Sequence, residues 1–151
     1  MRWSRFVVLC SCLVFVVASS STMTAQKKAK KEAVVWPADK IEWMEMKGVP
    51  GVKVAKLWGD MEKGSYGCLV KFAAGNNHPL HYHTSDVKVV VLSGTWLYTP
   101  QGGTETQMGP GSYLLVPGGV KHTSASSADG ECTVFQEGSA KFDMKMVEEK
   151  K

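Results

Sequence analysis

Arginine is all but missing from this chain: Arg2 and Arg5, both in the first five residues, are the only two. From Ala33 onward there are twelve lysines against thirteen acidic residues, a net charge of about −1, so the formal +4 of the whole chain comes from the N-terminal stretch. A nearly neutral body without guanidinium forks or a basic stripe argues against nucleic acid as a partner. Cysteine is scarce too. There are four, and Cys10 and Cys12 fall within the apolar start. Long hydrophobic runs are lacking: Phe6 to Ala18 is almost wholly apolar, yet shorter than the roughly 20 residues a spanning helix requires. No Ser-His-Asp order, phosphate loop, CxxC pair or dinucleotide fingerprint is present, which sets aside the chemistries those motifs carry.

The start has the layout of a secretory signal peptide. Met1-Arg-Trp-Ser-Arg5 is basic, the apolar run follows, and Ser19 to Ala25 is small and polar. Cleavage after Ser20 or Ala25 fits, and an uncleaved anchor is the competing reading. The expected organisation is a signal peptide over 1–25, a basic linker over 26–33 containing Gln26-Lys-Lys-Ala-Lys-Lys-Glu32, and one domain over 34–151. The product is expected in the periplasm or outside the cell, without stable membrane insertion after cleavage. Its remaining cysteines, Cys68 and Cys132, leave two readings open. They form a disulfide closing a loop of about 65 residues, worth roughly 4 kcal/mol on the loop-entropy view, or they are separate buried thiols.

Beyond Lys40, fifteen glycines and six prolines for the whole chain punctuate about ten short β-rich runs, with no uninterrupted segment of helical length before the tail. Expected strands include Ile41–Met46, Leu80–His83, Val87–Leu92, Thr104–Gln107 and Cys132–Gln136. Strands at this spacing predict an all-β fold, a single-domain jelly-roll β-barrel. Along Val87–Leu92 both faces are mostly apolar, which predicts a strand between two packed layers.

All four histidines lie in two segments, Gly75-Asn-Asn-His78-Pro-Leu-His81-Tyr-His83 and Gly111-Ser-Tyr-Leu-Leu-Val-Pro117-Gly-Gly119-Val-Lys-His122. Residues two apart on a strand point the same way, so His81 and His83 converge while Tyr82 points away. With His122 on a Pro/Gly turn, three imidazoles predict a metal site assembled by folding. Met44, Met46 and Met61 are far enough apart to read as ordinary packing.

These residues carry a resemblance. Gly75-x5-His81-x-His83-x3-Val87-x6-Gly94 resembles the first cupin motif, and Gly111-x5-Pro117-x-Gly119-x2-His122-x3-Ser126 resembles the second. The segments Leu57-Trp-Gly-Asp60, His81-Tyr-His-Thr-Ser-Asp86 and Val91-Leu-Ser-Gly-Thr-Trp96 are similar to small exported cupins related to the cupin-like domain of ChrR anti-sigma factors. The resemblance implies a metal held by His, His, Glu and His, but the glutamate position is Val87. That leaves His81, His83 and His122 for a divalent transition metal. Fe(II) is favoured, and Zn, Mn, Ni or Cu are the alternatives. Some cupin dioxygenases use a three-histidine iron site of this sort, so the resemblance implies a metal-dependent, dioxygenase-like enzyme acting on a small organic molecule. A non-catalytic cupin that binds or senses a small ligand is the alternative.

Three residues compete for further roles. Asp86 would face away in a regular strand, but a bulge at Thr84-Ser85 would turn it inward as a ligand or proton carrier. His78 is expected at the barrel mouth, as a proton carrier or a fourth ligand. Gln136 has an orientation that parity alone leaves open. Small cupins pair through edge or N-terminal strands, so a homodimer is expected.

Overall fold

Glycine and proline set the corners, and the β-branched residues lie between them. The computed structural model describes residues 32–148. Contacts divide the chain after Val34, and Val35–Lys151 forms one compact unit. Within the described residues a 3₁₀ turn, Ala38–Lys40, precedes the strands β1 (Met44–Glu45), β2 (Val52–Gly59), β3 (Tyr66–Phe72), β4 (Asn77–Tyr82), β5 (Val87–Ser93) and β6 (Trp96–Pro100). After them come β7 (Thr106–Met108), β8 (Tyr113–Val116), β9 (His122–Ser126), β10 (Cys132–Gly138) and β11 (Lys145–Met146). The expected signal peptide and residues 26–31 of the linker lie outside the described residues. No helix among the described residues is long and apolar enough to cross a membrane.

The strands form two antiparallel sheets, one ordered β1-β2-β3-β10-β5-β8 and the other β11-β4-β9-β6-β7. From β3 onward the chain changes sheet at almost every turn, the mark of a jelly roll. The fold class read from the sequence is the one observed. The two ladders do not join through hydrogen bonds, so the barrel is a two-layer jelly-roll sandwich.

Alternation decides what fills the space between the layers. β3 buries Tyr66, Cys68, Val70 and Phe72, β5 buries Val87, Val89 and Val91, and β10 buries Cys132, Val134 and Gln136. Each buried valine contributes about 1.5–3 kcal/mol by leaving water. The β5–β6 corner requires Gly94: its φ is +74°, and a Cβ there would stand 2.2 Å from the Glu131 carbonyl oxygen.

Several expectations are corrected. β5 is covered on one face only, because a sheet in a two-layer sandwich has one inner side. Lys88 and Leu92 are exposed and Val90 is half-buried. The strand expected over Ile41–Met46 shrinks to Met44–Glu45, the two residues that pair with Val54 and Lys53. The strand expected over Thr104–Gln107 is Thr106–Met108, and β4 starts at Asn77 rather than Leu80. Cys68 and Cys132 are both free and buried. They sit on neighbouring strands, but Cys68 pairs with Gln136 while Cys132 pairs with Phe72. That offset of four ladder positions, about 13 Å at the strand rise, exceeds bridging distance.

Candidate metal centre

Two neighbouring strands of the five-stranded sheet bring the histidines together. His81 on β4 and His122 on β9 are direct ladder partners, with ring centroids 4.2 Å apart. His83, one residue past the end of β4, keeps the same parity, 5.1 Å from the His81 ring and 5.4 Å from that of His122. All three are buried, and one potential ligand atom from each lies within 4.8 Å of the others.

The other nitrogen of each ring is held by the backbone. His81 Nδ1 bonds the Pro79 carbonyl at 2.7 Å, His83 Nδ1 that of Asp143 at 2.5 Å, and His122 Nδ1 that of Val120 at 3.0 Å. A carbonyl only accepts, so each Nδ1 carries the proton, and each Nε2 keeps a lone pair in the neutral ring. Burial also holds the rings neutral. Desolvation lowers the pKa of His81 to about 4, helped by the neighbouring imidazoles and opposed by the bond to Pro79. His83 and His122 are lowered chiefly by the same desolvation.

Turn chemistry fixes these positions. The Pro117-Gly-Gly119 corner leading into β9 docks on the corner that follows His83. Gly119 N–H donates to the His83 carbonyl at 2.7 Å, and Gly118 N–H to Asp86 Oδ1 at 2.9 Å. A Cβ at Gly118 would meet the Thr84 carbonyl oxygen at 2.6 Å. The tail secures the other side, with Thr84 N–H donating to Asp143 Oδ1 at 2.9 Å and β11 pairing with β4 at Tyr82 and His81.

This arrangement corrects the positions expected for Asp86 and His78. Asp86 is exposed and its carboxylate accepts from Gly118, so it braces a corner and does not line the cavity. No bulge turns it inward, and β5 begins only at Val87. His78 is not at the mouth but 6% exposed inside, near Phe72 and Trp96, 6.3 Å from the His81 ring. A register shift between His78 and His81 lets both point inward despite their odd spacing. His78 Nε2 is buried without a hydrogen-bond partner, and the ring stands outside the cluster of three. Gln136 does face the cavity, and its amide N–H donates to the buried Tyr66 hydroxyl at 2.8 Å.

The cavity holding the triad is small, about 60 Å³, and largely apolar, with Val87, Val89 and Val116 on one wall. Among the described residues no carboxylate lines it. Other contributors to this cavity come from segments without a motif. Met46, Met61 and Met144 are far apart in the chain yet line this one cavity. Phe142 lies in an irregular tail segment and packs its ring 5.2 Å from that of His83. The Asp143 carbonyl comes from the same segment. Three converging Nε2 lone pairs with proton-bearing Nδ1 atoms are the donor set a divalent transition ion takes, so the residues fit such a metal.

A jelly-roll sandwich with histidines from two motif strands buried between its sheets defines a cupin. The chain matches the ChrR Cupin-like domain family over residues 31–141 and belongs to it. No curated protein matches the sequence. Among solved structures it is similar to the polyketide cyclase RemF from Streptomyces resistomycificus, at 16% identity and a TM-score of 0.63, over 81% of this chain and 87% of that one. A protein of unknown function with a cupin-like fold from Ralstonia eutropha matches at 24% identity and a TM-score of 0.62, over 77% and 78%. A structure of the DMSP lyases RdDddP and RnDddQII matches at 14% identity and a TM-score of 0.57, over 72% and 63%. At such identities the likeness is one of fold.

Proposed function

We propose that the protein is an exported cupin that binds a divalent transition metal through His81, His83 and His122 and acts as a metal-dependent enzyme on a small organic molecule, with dioxygenase-like chemistry the first candidate. The observation that carries this reading is the triad itself: three buried imidazoles, each committed to one backbone carbonyl, with their free nitrogens converging. Fe(II) is the favoured ion, and Zn, Mn, Ni or Cu suit the same donors. When bound, the ion supplies Lewis acidity and open positions for a substrate, and with iron for dioxygen.

The protein's own residues do the rest. The backbone carbonyls orient the three rings, and the valine wall keeps bulk water away. His78 offers its buried Nε2 as a site to hold or pass a proton inside the cavity. The fold neighbours include a cyclase and lyases, so cupin scaffolds support reactions other than oxygenation, and the reaction class rests on the site. Metal analysis of untagged protein from its native compartment tests the reading. About one ion per chain in the wild type and none in the His81→Ala, His122→Ala double variant is expected. Metal retained by the double variant overturns the assignment.

One observation favours a second reading. The inner cavity is narrow, as suits a cupin that binds or senses a small ligand without turning it over. Stoichiometric metal together with ligand binding but no turnover selects that reading. A homodimer belongs to either one: the edge strand β8 exposes Tyr113 and Leu115, and Leu92 is exposed on neighbouring β5. Analytical ultracentrifugation decides it, and a monomer at micromolar concentration removes it.

A further inference from the structure

A second hollow lies beside the histidine cavity, and the two share a wall. The inner cavity, at about 60 Å³, falls well below the roughly 300 Å³ at which ordinary small-molecule sites begin. It accommodates the head of a ligand, not its body. The outer hollow measures about 400 Å³. Met46, Met61 and Phe142 line both.

That partition is built to yield. Methionine is the most adaptable apolar side chain, and Phe142 belongs to an irregular segment. The Phe142 ring spans the boundary, 5.2 Å from His83 on one side and 6.2 Å, edge-on, from Tyr66 on the other. Its N–H donates to the Met61 carbonyl at 2.8 Å, which ties two parts of the wall together.

The outer hollow has an aromatic floor. Trp58 pairs with Gly67 across a register shift between β2 and β3. A Cβ at Gly67 would stand 2.1 Å from the indole nitrogen, so only glycine lets the ring lie against the strand. The indole remains 44% exposed, a flat apolar surface facing a space that it shares with Val54, Tyr66 and the methionines; the exposed lysines Lys47 and Lys56 also line it. Of the lining carboxylates, Glu45 and Asp60 are paired with Lys53 and Lys63, and Glu62 is exposed to solvent. At the other end, three neutral imidazoles and no carboxylate leave the charge of a divalent ion uncompensated, which favours an anionic head.

We infer that the ligand of this site has a compact anionic, metal-seeking head at His81, His83 and His122 and an apolar tail that passes between Met46, Met61 and Phe142 to lie against Trp58. The inference rests on the reading of the triad as a metal centre, and the test separates the two. Full-length mature protein carrying [13C-methyl]methionine is titrated, zinc-loaded and metal-free, with straight-chain alkyl hydroxamates from acetohydroxamate to dodecanohydroxamate. In the loaded protein, affinity should rise about fourfold per added methylene until the hollow is filled, with longer chains shifting the Met46 and Met61 methyl signals. Trp58→Ala, at an exposed position, and Met61→Trp, which narrows the passage, should each flatten that slope. An affinity independent of chain length, or a slope unchanged in Trp58→Ala, overturns the inference. Acetohydroxamate binding that gains nothing from zinc removes the metal reading instead. The metal-free slope and methyl shifts then decide the outer hollow alone, their presence supporting it and their absence overturning it.

Discussion

His81 and His122 face each other across the β4–β9 ladder with ring centroids 4.2 Å apart. Two imidazolium ions cannot share that space without strong repulsion, and burial adds a desolvation cost. The folded protein therefore holds these rings neutral at pH values where exposed histidine is already protonated.

A pH dependence follows. The folded-state pKa of each triad histidine lies below the ordinary value of 6.5, at about 4 for His81. On acidification the unfolded chain takes up protons first, so this stability is fully present above about pH 6.5 and is lost as the pH falls toward 4. His81 alone accounts for about 3 kcal/mol of the loss. Urea denaturation of metal-free protein at a series of pH values checks this. A flat profile between pH 7 and 4 contradicts it.

Position 87 tests the missing carboxylate. Val87 is 6% exposed and lines the histidine cavity, so Val87→Glu places an anionic oxygen where a fourth ligand belongs. Metal affinity should rise by about tenfold or more, roughly 1.4 kcal/mol. The metal-free variant should be less stable than wild type, because it buries a carboxylate with no partner. Isothermal titration and thermal denaturation with and without metal read both effects, and unchanged affinity means that residue 87 does not reach the ion.

Much of this site was legible in the sequence because it depends on strand parity. His81 and His83 are two apart and point the same way, and the corner before His122 is spelled out by Pro117, Gly118 and Gly119. What escaped depends on departures from regularity or on contacts distant in the chain. His78 was expected at the barrel mouth, and a register shift in the β4–β9 ladder turns it inward with His81. Asp86 was a candidate because a carboxylate one residue from the expected ligand position is chemically attractive, yet a backbone N–H on another corner claims it. Met46, Met61, Phe142 and the Asp143 carbonyl come from segments without a motif, and only the packed sandwich brings them to the histidines.

The cysteines are expected to behave as two independent thiols even in an oxidising medium. Burial raises the pKa of Cys68 to about 12 and that of Cys132 to about 11, by desolvation, so neither is a reactive thiolate at neutral pH. Alkylation should modify neither in the folded protein and both after unfolding without reductant, as counted by mass spectrometry. The melting temperature should be indifferent to reductant. A mass lower by two hydrogens, with no alkylation on unfolding, contradicts the ladder offset between Cys68 and Cys132.

Asp86 is expected to matter for stability and not for metal. Asp86→Ala removes the bond to Gly118 N–H at an exposed corner, a loss of about 1 kcal/mol, and the metal-to-protein ratio should stay that of the wild type. The ratio is the discriminating measurement. If it falls while the protein remains folded, the carboxylate contributes to the site after all.

His78 gives the most direct sign of whether the cavity is shaped for function or for stability. Its Nε2 is buried with no partner, an arrangement that costs about 1–3 kcal/mol relative to a satisfied or apolar group. Around it stand Phe72 and Trp96, surroundings that would accept a hydrocarbon. His78→Leu should therefore raise the stability of the metal-free protein by about 1 kcal/mol and leave metal stoichiometry intact, since the ring lies outside the triad. It should also weaken binding or turnover of whatever small molecule occupies the cavity. A variant that is more stable, fully metallated and functionally impaired marks His78 as retained for chemistry at the expense of folding. A variant that is destabilised shows instead that the imidazole is a packing element with a partner of its own.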